Sequence, residues 1–257
     1  MKIARFSAEG LIAFGIIDDD EIVVLKGDPM FAGYDTTGQR LALRDVKLLA
    51  PVIPRSKIVG MAWSYFADAA ERSAATTGSL GEPRFFLKPN TCVVGPGDPI
   101  TLPASSENVH VEGELAIVIG KITKNVSVAD AEDSIWGYTV ANDVTARDLQ
   151  ERDGHLTRAK SFDSFCPLGP VIDTDYDWTT LTIESRINGE VFQNGNATLL
   201  KHTIAEMISF VSSVFTLLPG DVILTGAPDR SAPVVDGDAV QVEIAGIGVL
   251  ANPVRRG

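Results

Sequence analysis

The stretch Val111-Glu112-Gly113-Glu114-Leu115-Ala116-Ile117-Val118-Ile119-Gly120 decides the fold. Two glutamates spaced i and i+2 lead into the compact apolar run from Leu115 to Ile119, which predicts a buried strand. Residues two apart in a strand project from the same face, so Glu112 and Glu114 share one. Neighbouring carboxylates repel unless a proton or a cation lies between them. An exposed strand end with solvated charges would carry the same pair, and these residues alone do not choose between the two readings.

A third carboxylate follows downstream. Tyr138-Thr139-Val140-Ala141-Asn142-Asp143 is a second apolar run ending in an acid, and residues 144–150 read as the start of a helix. Asp143 fits an N-cap as well as a ligand. Three carboxylates without His or Cys suit a hard cation such as Mg²⁺ or Mn²⁺, not zinc.

Further out, the chain reads mostly as strands. Residues 11–17 and 21–25 flank the turn Asp18-Asp19-Asp20 and predict a hairpin in a small β-rich N-terminal unit. The acidic triple reads as a solvated turn, because nothing nearby completes a ligand set. Pro51 and Pro54 bracket a junction, dividing the chain into residues 1–54 and 55–257. Residues 58–62 predict a strand. Residues 64–76 are Ala-rich and predict a helix capped by Ser64, and 77–83 predict a mobile loop. Ile204, Met207, Ile208, Val211 and Phe215 recur at helical spacing within 203–217. A strand at 222–225 and a closing hairpin of 239–243 with 248–250 complete the chain.

The composition is that of a folded domain: 257 residues, 45% hydrophobic and 22% charged, which excludes disorder and low-complexity arrays. With 22 Lys and Arg against 34 Asp and Glu, the net charge of −12 argues against nucleic acid and against a polybasic membrane surface. Cys92 and Cys166 are too few for a disulfide framework and read as free buried thiols. Without a signal-like N-terminus or a membrane-length apolar stretch, the expected compartment is the cytoplasm. There is no Walker loop, dinucleotide glycine fingerprint, nucleophile elbow or zinc-spaced His/Cys set.

Six pieces then fall into one order: Phe86-Leu87-Lys88-Pro89-Asn90, Glu112-Gly113-Glu114-Leu115, Asn142-Asp143-Val144-Thr145-Ala146-Arg147-Asp148, Ala159-Lys160-Ser161-Phe162-Asp163, Cys166-Pro167-Leu168-Gly169-Pro170 and Leu218-Pro219-Gly220-Asp221-Val222-Ile223-Leu224-Thr225-Gly226. Together they resemble the fumarylacetoacetate hydrolase family from Lys57 to the C-terminus. The resemblance points to the bacterial branch of 2-hydroxyhepta-2,4-diene-1,7-dioate isomerases, acylpyruvate hydrolases and oxaloacetate decarboxylases. It implies an α+β, β-rich fold, a roll of mixed β-sheets behind a small N-terminal β-rich domain, usually in a homodimer.

The resemblance also implies chemistry. Glu112, Glu114 and Asp143 would hold a divalent cation, usually Mg²⁺ with Mn²⁺ as a substitute. Lys160 would support enolate charge on a small 2-oxo or 2-hydroxydienoic diacid of the aromatic-catabolism type. Arg147 and Gln150 would orient Lys160 and the substrate, and Thr225 and Gly226 would contact the substrate carboxylate. Without the resemblance, a surface Lys160, a salt-bridged Arg147 and a strand-end Thr225 are the simpler readings. Hydrolysis, isomerisation and decarboxylation all start from the same enolate, and a family member that binds metal and diacid without turnover is the alternative.

Two departures bear on the reaction. Family hydrolases carry Asn-Tyr followed by a His and a Glu in a lid helix. Here the segment is Ser64-Tyr65-Phe66-Ala67-Asp68-Ala69-Ala70-Glu71, with Tyr65 and Glu71 in place and Asp68 at the His position. Asp68 and Glu71 would be neighbours on a helix and able to share a proton, but the neutral imidazole is lost, which counts against hydrolysis. After Gly226, Arg230 replaces a small residue and is a candidate for a second carboxylate or for solvent. His110 and His155 lie near the implied site segments as candidate substitute bases.

Overall fold

The computed structural model describes residues 1–75 and 80–257. The fold is β-rich α+β, and the Gly113–Ile119 strand lies deep inside it, with all seven residues buried. Its alternate residues feed two cores. Leu115, Ile117 and Ile119 pack on one side, and Ala116 and Val118 on the other. A strand covered on both faces reads as a continuous apolar run rather than an alternating one, as this stretch does.

The strand belongs to a 12-stranded mixed sheet. Its neighbours are Ile135–Asn142, antiparallel on one side, and Val222–Leu224, antiparallel on the other. Val222–Leu224 runs parallel to Ile58–Ala62, which pairs with Arg84–Lys88. On the far side, Cys166–Asp173 pairs with Ile135–Asn142 and receives the first strand of the chain, Lys2–Ala8. The N-terminal hairpin Leu11–Asp18 with Glu21–Leu25 forms as expected and extends the same sheet. A five-stranded sheet containing Thr182–Ile187, Glu190–Asn196 and Ala239–Ile244 packs against the central strands. A three-stranded sheet containing Val109–Val111 completes the roll.

Buried Asp221 fixes one parallel contact. It accepts from the backbone N–H groups of Ser56, Lys57 and Leu218, and Lys57 Nζ lies 2.6 Å away. The Leu218–Asp221 part of the motif therefore ties the Val222–Leu224 strand to the chain entering Ile58–Ala62.

Three expectations change. The predicted helix over 64–76 is only Ala69–Ala74, with Asp68 as its N-cap, and Thr76 lies outside the described residues. Ser64 does not cap it, because its hydroxyl donates to the Thr225 carbonyl. The helix after Asp143 starts at Arg147, because Thr145–Ala146 first pairs with Val109–Val111. Of the loop expected at 77–83, residues 77–79 lie outside the described residues. The late helix, Ile204–Val214, forms as its periodicity predicts. It has a complete Thr203/Glu206 capping box, and Phe215 ends it as the C-cap. No described helix is long and apolar enough to cross a membrane.

Candidate active site

The register of the central strands assembles the carboxylates. Gly113 pairs with Asn142, so Asp143, one residue on, comes level with Glu112. Asp143 N–H donates to Glu112 O at 2.8 Å, and Glu112 N–H donates to the Asn142 side chain at 3.0 Å. Glu114 projects from the same face as Glu112, and carboxylate oxygens of Glu112, Glu114 and Asp143 all lie within 4.8 Å of one another.

Gly113, between the two glutamates, faces the five-stranded sheet. Buried Gln193 clamps it, accepting from Gly113 N–H and donating to its carbonyl, both at 2.9 Å. A Cβ on Gly113 would stand 2.3 Å from Ser185 Oγ and 2.7 Å from Gln193 Oε1. The Glu-Gly-Glu pattern thus combines two ligating side chains on one face with close backbone contact on the other. Gly226 has a similar constraint. Its φ is +91°, and a Cβ would lie 1.9 Å from Ser64 Oγ.

Cations stand around two of the three acids. Lys160 Nζ lies 2.8 Å from Glu112 and also contacts Asp143. Fully buried Lys88 holds Asp143 through its other oxygen. Burial alone would raise the Asp143 pKa, but Lys160 and Lys88 outweigh it and hold the group below the usual carboxylate range. Burial likewise disfavours the charged form of Lys160, yet Asp143, Glu112 and Glu114 push its pKa up and keep the ammonium protonated.

Glu114 is treated differently. It is buried, and among the described residues its one side-chain hydrogen bond comes from Gly226 N–H at 2.7 Å. Burial, reinforced by Asp143, raises its pKa well above the ordinary value. A divalent cation among the three acids would supply the missing positive charge, and an all-oxygen set is the chemistry of Mg²⁺ or Mn²⁺. The residues fit such an ion.

Above the acids opens a cavity of about 450 Å³. Arg147 reaches Glu112 with its guanidinium and donates to Gln150 at 2.8 Å. Tyr65 is buried on the wall, and burial raises its pKa so that it stays a phenol. The Tyr65 and Thr225 hydroxyls lie buried near each other without a formed hydrogen bond. Orphan buried hydroxyls beside a cavity call for an explanation such as an absent polar ligand.

The family model described as fumarylacetoacetate (FAA) hydrolase, C-terminal, matches residues 57–255. The chain belongs to the fumarylacetoacetate hydrolase family. Residues 1–51 match a further model, Rv2993c-like, N-terminal. The structure of 5-carboxymethyl-2-hydroxymuconate delta-isomerase from Mycobacterium smegmatis is 43% identical, with a TM-score of 0.92 and 100% of both chains covered. The mitochondrial oxaloacetate tautomerase fahd2 of Xenopus laevis is 39% identical over 235 residues, 87% of this chain and 73% of that one. Maleylpyruvate hydrolase from Sphingobium sp. SYK-6, in complex with manganese(II) and pyruvate, is 31% identical, with a TM-score of 0.81 and 100% of both chains covered. The chain is an enzyme of this family, whose members carry isomerase, hydrolase and oxaloacetate tautomerase names.

Within this family member, the cavity brings together Glu112, Glu114, Asp143, Lys160, Arg147, Gln150, Tyr65 and Glu71. Asp68, Thr225 and Gly226 are not on the lining. Asp68 accepts from Ala70 and Glu71 N–H, both at 2.8 Å, and Glu71 accepts from Ala67 N–H. Thr225 and Gly226 stand behind the wall, against Tyr65 and Glu114. Arg230, 73% exposed, donates to the Phe192 carbonyl away from the cavity. His110 is held between Ser231 and Asn108, and His155 is exposed; neither lines the cavity.

Sequence reasoning missed Lys88, Gln193 and Lys201. A lysine ending the apolar strand Phe85-Phe86-Leu87 was a usable signal for Lys88. Gln193 and Lys201 act through tertiary contacts that no local pattern announces.

Proposed function

We propose that this enzyme moves a proton between C3 and the neighbouring oxygen or carbon of small 2-oxo or 2-hydroxydienoic dicarboxylic acids, with Mg²⁺ as cofactor and Mn²⁺ as a working substitute. The observation that supports this reading best is the make-up of the cavity wall. It combines the three acids and Lys160 with Tyr65 and Glu71, and has no histidine among the described residues that line it. Splitting a carbon–carbon bond with water favours a base poised near neutral pH. Tautomerisation and isomerisation need only a proton acceptor and donor facing the substrate.

A divalent cation held by Glu112, Glu114 and Asp143 supplies a Lewis acid for the paired oxygens of a 2-oxo acid. The Lys160 ammonium, fixed by Glu112 and Asp143, meets negative charge developing on the substrate oxygen without having to reorganise. Glu71, on the cavity lining, takes the C3 proton and returns it to the neighbouring oxygen or carbon of the same substrate. Asp68 is a positioning residue that caps the short helix and so sets the place of Glu71. Tyr65 offers its hydroxyl to the substrate carboxylate with Thr225 behind it as a positioning residue, while Gly226 steadies Glu114. Arg147 and Gln150 brace Glu112 and the substrate.

The isomerase and oxaloacetate tautomerase relatives support the reaction class, and the manganese–pyruvate complex supports a metal beside a 2-oxo acid. A substrate from aromatic-ring breakdown fits the name of the M. smegmatis isomerase. The test is a proton NMR time course in D₂O with Mg²⁺, using an acylpyruvate and oxaloacetate. Accelerated loss of the C3 proton without cleavage is the expected result. Pyruvate formation would instead indicate hydrolysis in the first case and decarboxylation in the second. A protein that bound without turnover would leave both substrates at the no-enzyme rate.

A further inference from the structure

A diacid needs a second cation, away from the end that chelates metal. Arg147 and Lys160 both line the cavity, but both are committed to Glu112, and Lys160 also to Asp143. Lys201 lines the same cavity with a quarter of its side chain exposed. Among the described residues its ammonium makes no hydrogen bond, and its nearest carboxylate, Glu71, is 3.9 Å away. It lies 5.4 Å over the Phe66 ring. Its backbone is fixed, because Lys201 N–H donates to Ser64 O and Phe66 N–H donates to Leu199 O, both at 2.8 Å. A held backbone with a loosely engaged ammonium suits a group that exchanges one carboxylate for another.

A second cavity of about 330 Å³ adjoins the first and shares Met61, Ala62, Trp63, Ser64 and Lys201 with it. It adds Arg84 and His202, with Glu82 as the acidic residue of its wall. Trp63 stands on the shared wall with φ of +53°, an unfavourable conformation for a bulky residue. It is 65% exposed, with Arg84 5.5 Å from its ring. Strain of this kind persists where the surroundings hold it and gathers at ligand sites. The first cavity alone, about 450 Å³, has room for about fifteen waters at ~30 Å³ each, more than the nine heavy atoms of oxaloacetate fill.

We propose that Lys201 binds the distal carboxylate of the substrate, and that the two cavities join beside Trp63, so that diacids longer than oxaloacetate extend toward Arg84 and His202. This inference rests on the reading of the site as one for 2-oxo acids. It makes Lys201 the specificity residue and explains why Arg230 is free to face solvent. It also gives Glu71 a partner that a bound diacid would draw away.

The test compares 2-oxoadipate, 2-oxohexanoate and oxaloacetate in the presence of Mg²⁺, by calorimetric titration and by C3 deuterium exchange. The wild type is expected to bind 2-oxoadipate about tenfold more tightly than 2-oxohexanoate. Lys201→Ala should bring that ratio close to one by raising the diacid Kd and KM, and Lys201→Arg should keep most of it. Lys201→Gln serves in place of the alanine variant should that one fail to fold. An unchanged ratio in the uncharged variants would overturn the role of Lys201. Tighter binding of oxaloacetate than of 2-oxoadipate would overturn the joining of the two cavities. Discrimination in the titration without any proton exchange would sink the proposed reaction and leave the recognition standing, whereas absence of diacid binding would overturn both.

Discussion

The floor and the roof of the cavity are built by different means. The floor comes from adjacent strands of a mixed sheet, and its acids are placed by register, by the Gln193 clamp and by two buried lysines. The roof is a six-residue helix with no buried residue, held by its own cap and preceded by Ser64 and Phe66, whose backbones bond to Lys201 and Leu199. A site needs its charge-bearing atoms held to within about half an ångström, and a sheet packed on both faces provides that. The edge that meets the variable end of a substrate can rest on weaker, local contacts. The metal-binding acids thus rest on the rigid floor, and the proton-handling Glu71 on the more weakly held roof.

That contrast can be broken most directly at Glu114. Glu114→Ala should weaken Mg²⁺ binding by more than about a hundredfold, beyond the usual effect of losing a residue that only supports a ligand, and should stop C3 exchange. Retained micromolar affinity by calorimetry would remove the three-carboxylate site from consideration. Lys88→Met tests the floor through stability. It leaves Asp143 buried with one partner fewer, a change that costs about 3–5 kcal/mol in comparable buried pairs, measurable by denaturant unfolding. Loss below 1 kcal/mol would mean the pair is not buried in solution.

Metal itself should stabilise the floor. At a free Mg²⁺ concentration a hundred times its Kd, the gain is about 2.7 kcal/mol. For a chain of this size that corresponds to a rise in melting temperature of roughly 5–10 °C, and an unmoved transition in a calorimetric scan would argue that no site forms. Gly113→Ala should cost about 1–3 kcal/mol through overpacking against Ser185 and Gln193. Thermal melts of that variant should fall accordingly, and an unmoved transition would mean that Ser185 and Gln193 give way to the added methyl.

The smallest effect belongs to the roof. Asp68→Ala removes a cap worth about 1 kcal/mol, and the loss should appear as faster amide exchange confined to Ala69–Ala74 rather than as a shifted global transition. Asp68→His should raise acylpyruvate hydrolysis, because it restores an imidazole at the family position. An unchanged rate would mean that the capping geometry keeps residue 68 away from water in the cavity.

How much of this was legible beforehand follows the same division. The Leu115 to Ile119 run, the two glutamates and the Asn142-Asp143 ending could be read because period-two geometry and strand length are local properties. The match of Gly113 to Asn142, which brings the acids together, is a pairing between strands that no local pattern announces; only the grouping of the three acids was reached, through the family resemblance. The roof was misread for a physical reason. Alanines between 67 and 75 favour helix, but Tyr65 and Phe66 are buried and Ser64 is bonded to Thr225, so tertiary contacts hold 64–67 out of the helix. Lys201 carried no signal, because its place depends on a bridge between Tyr65 and Leu200 that joins distant parts of the chain.

The pairing of Lys2–Ala8 with Cys166–Asp173 bears on any attempt to shorten this enzyme. A version lacking residues 1–51 would keep every acid of the floor. It would also leave the Ile172–Asp173 end of a central strand unpaired, and would remove Ile3 and Phe6 from the cores they fill. Bare sheet edges recruit other edges, so the truncated protein should aggregate before its chemistry can be assayed. No residue of the N-terminal unit lines the cavity, yet the unit is the seal along one edge of the sheet that carries the acids.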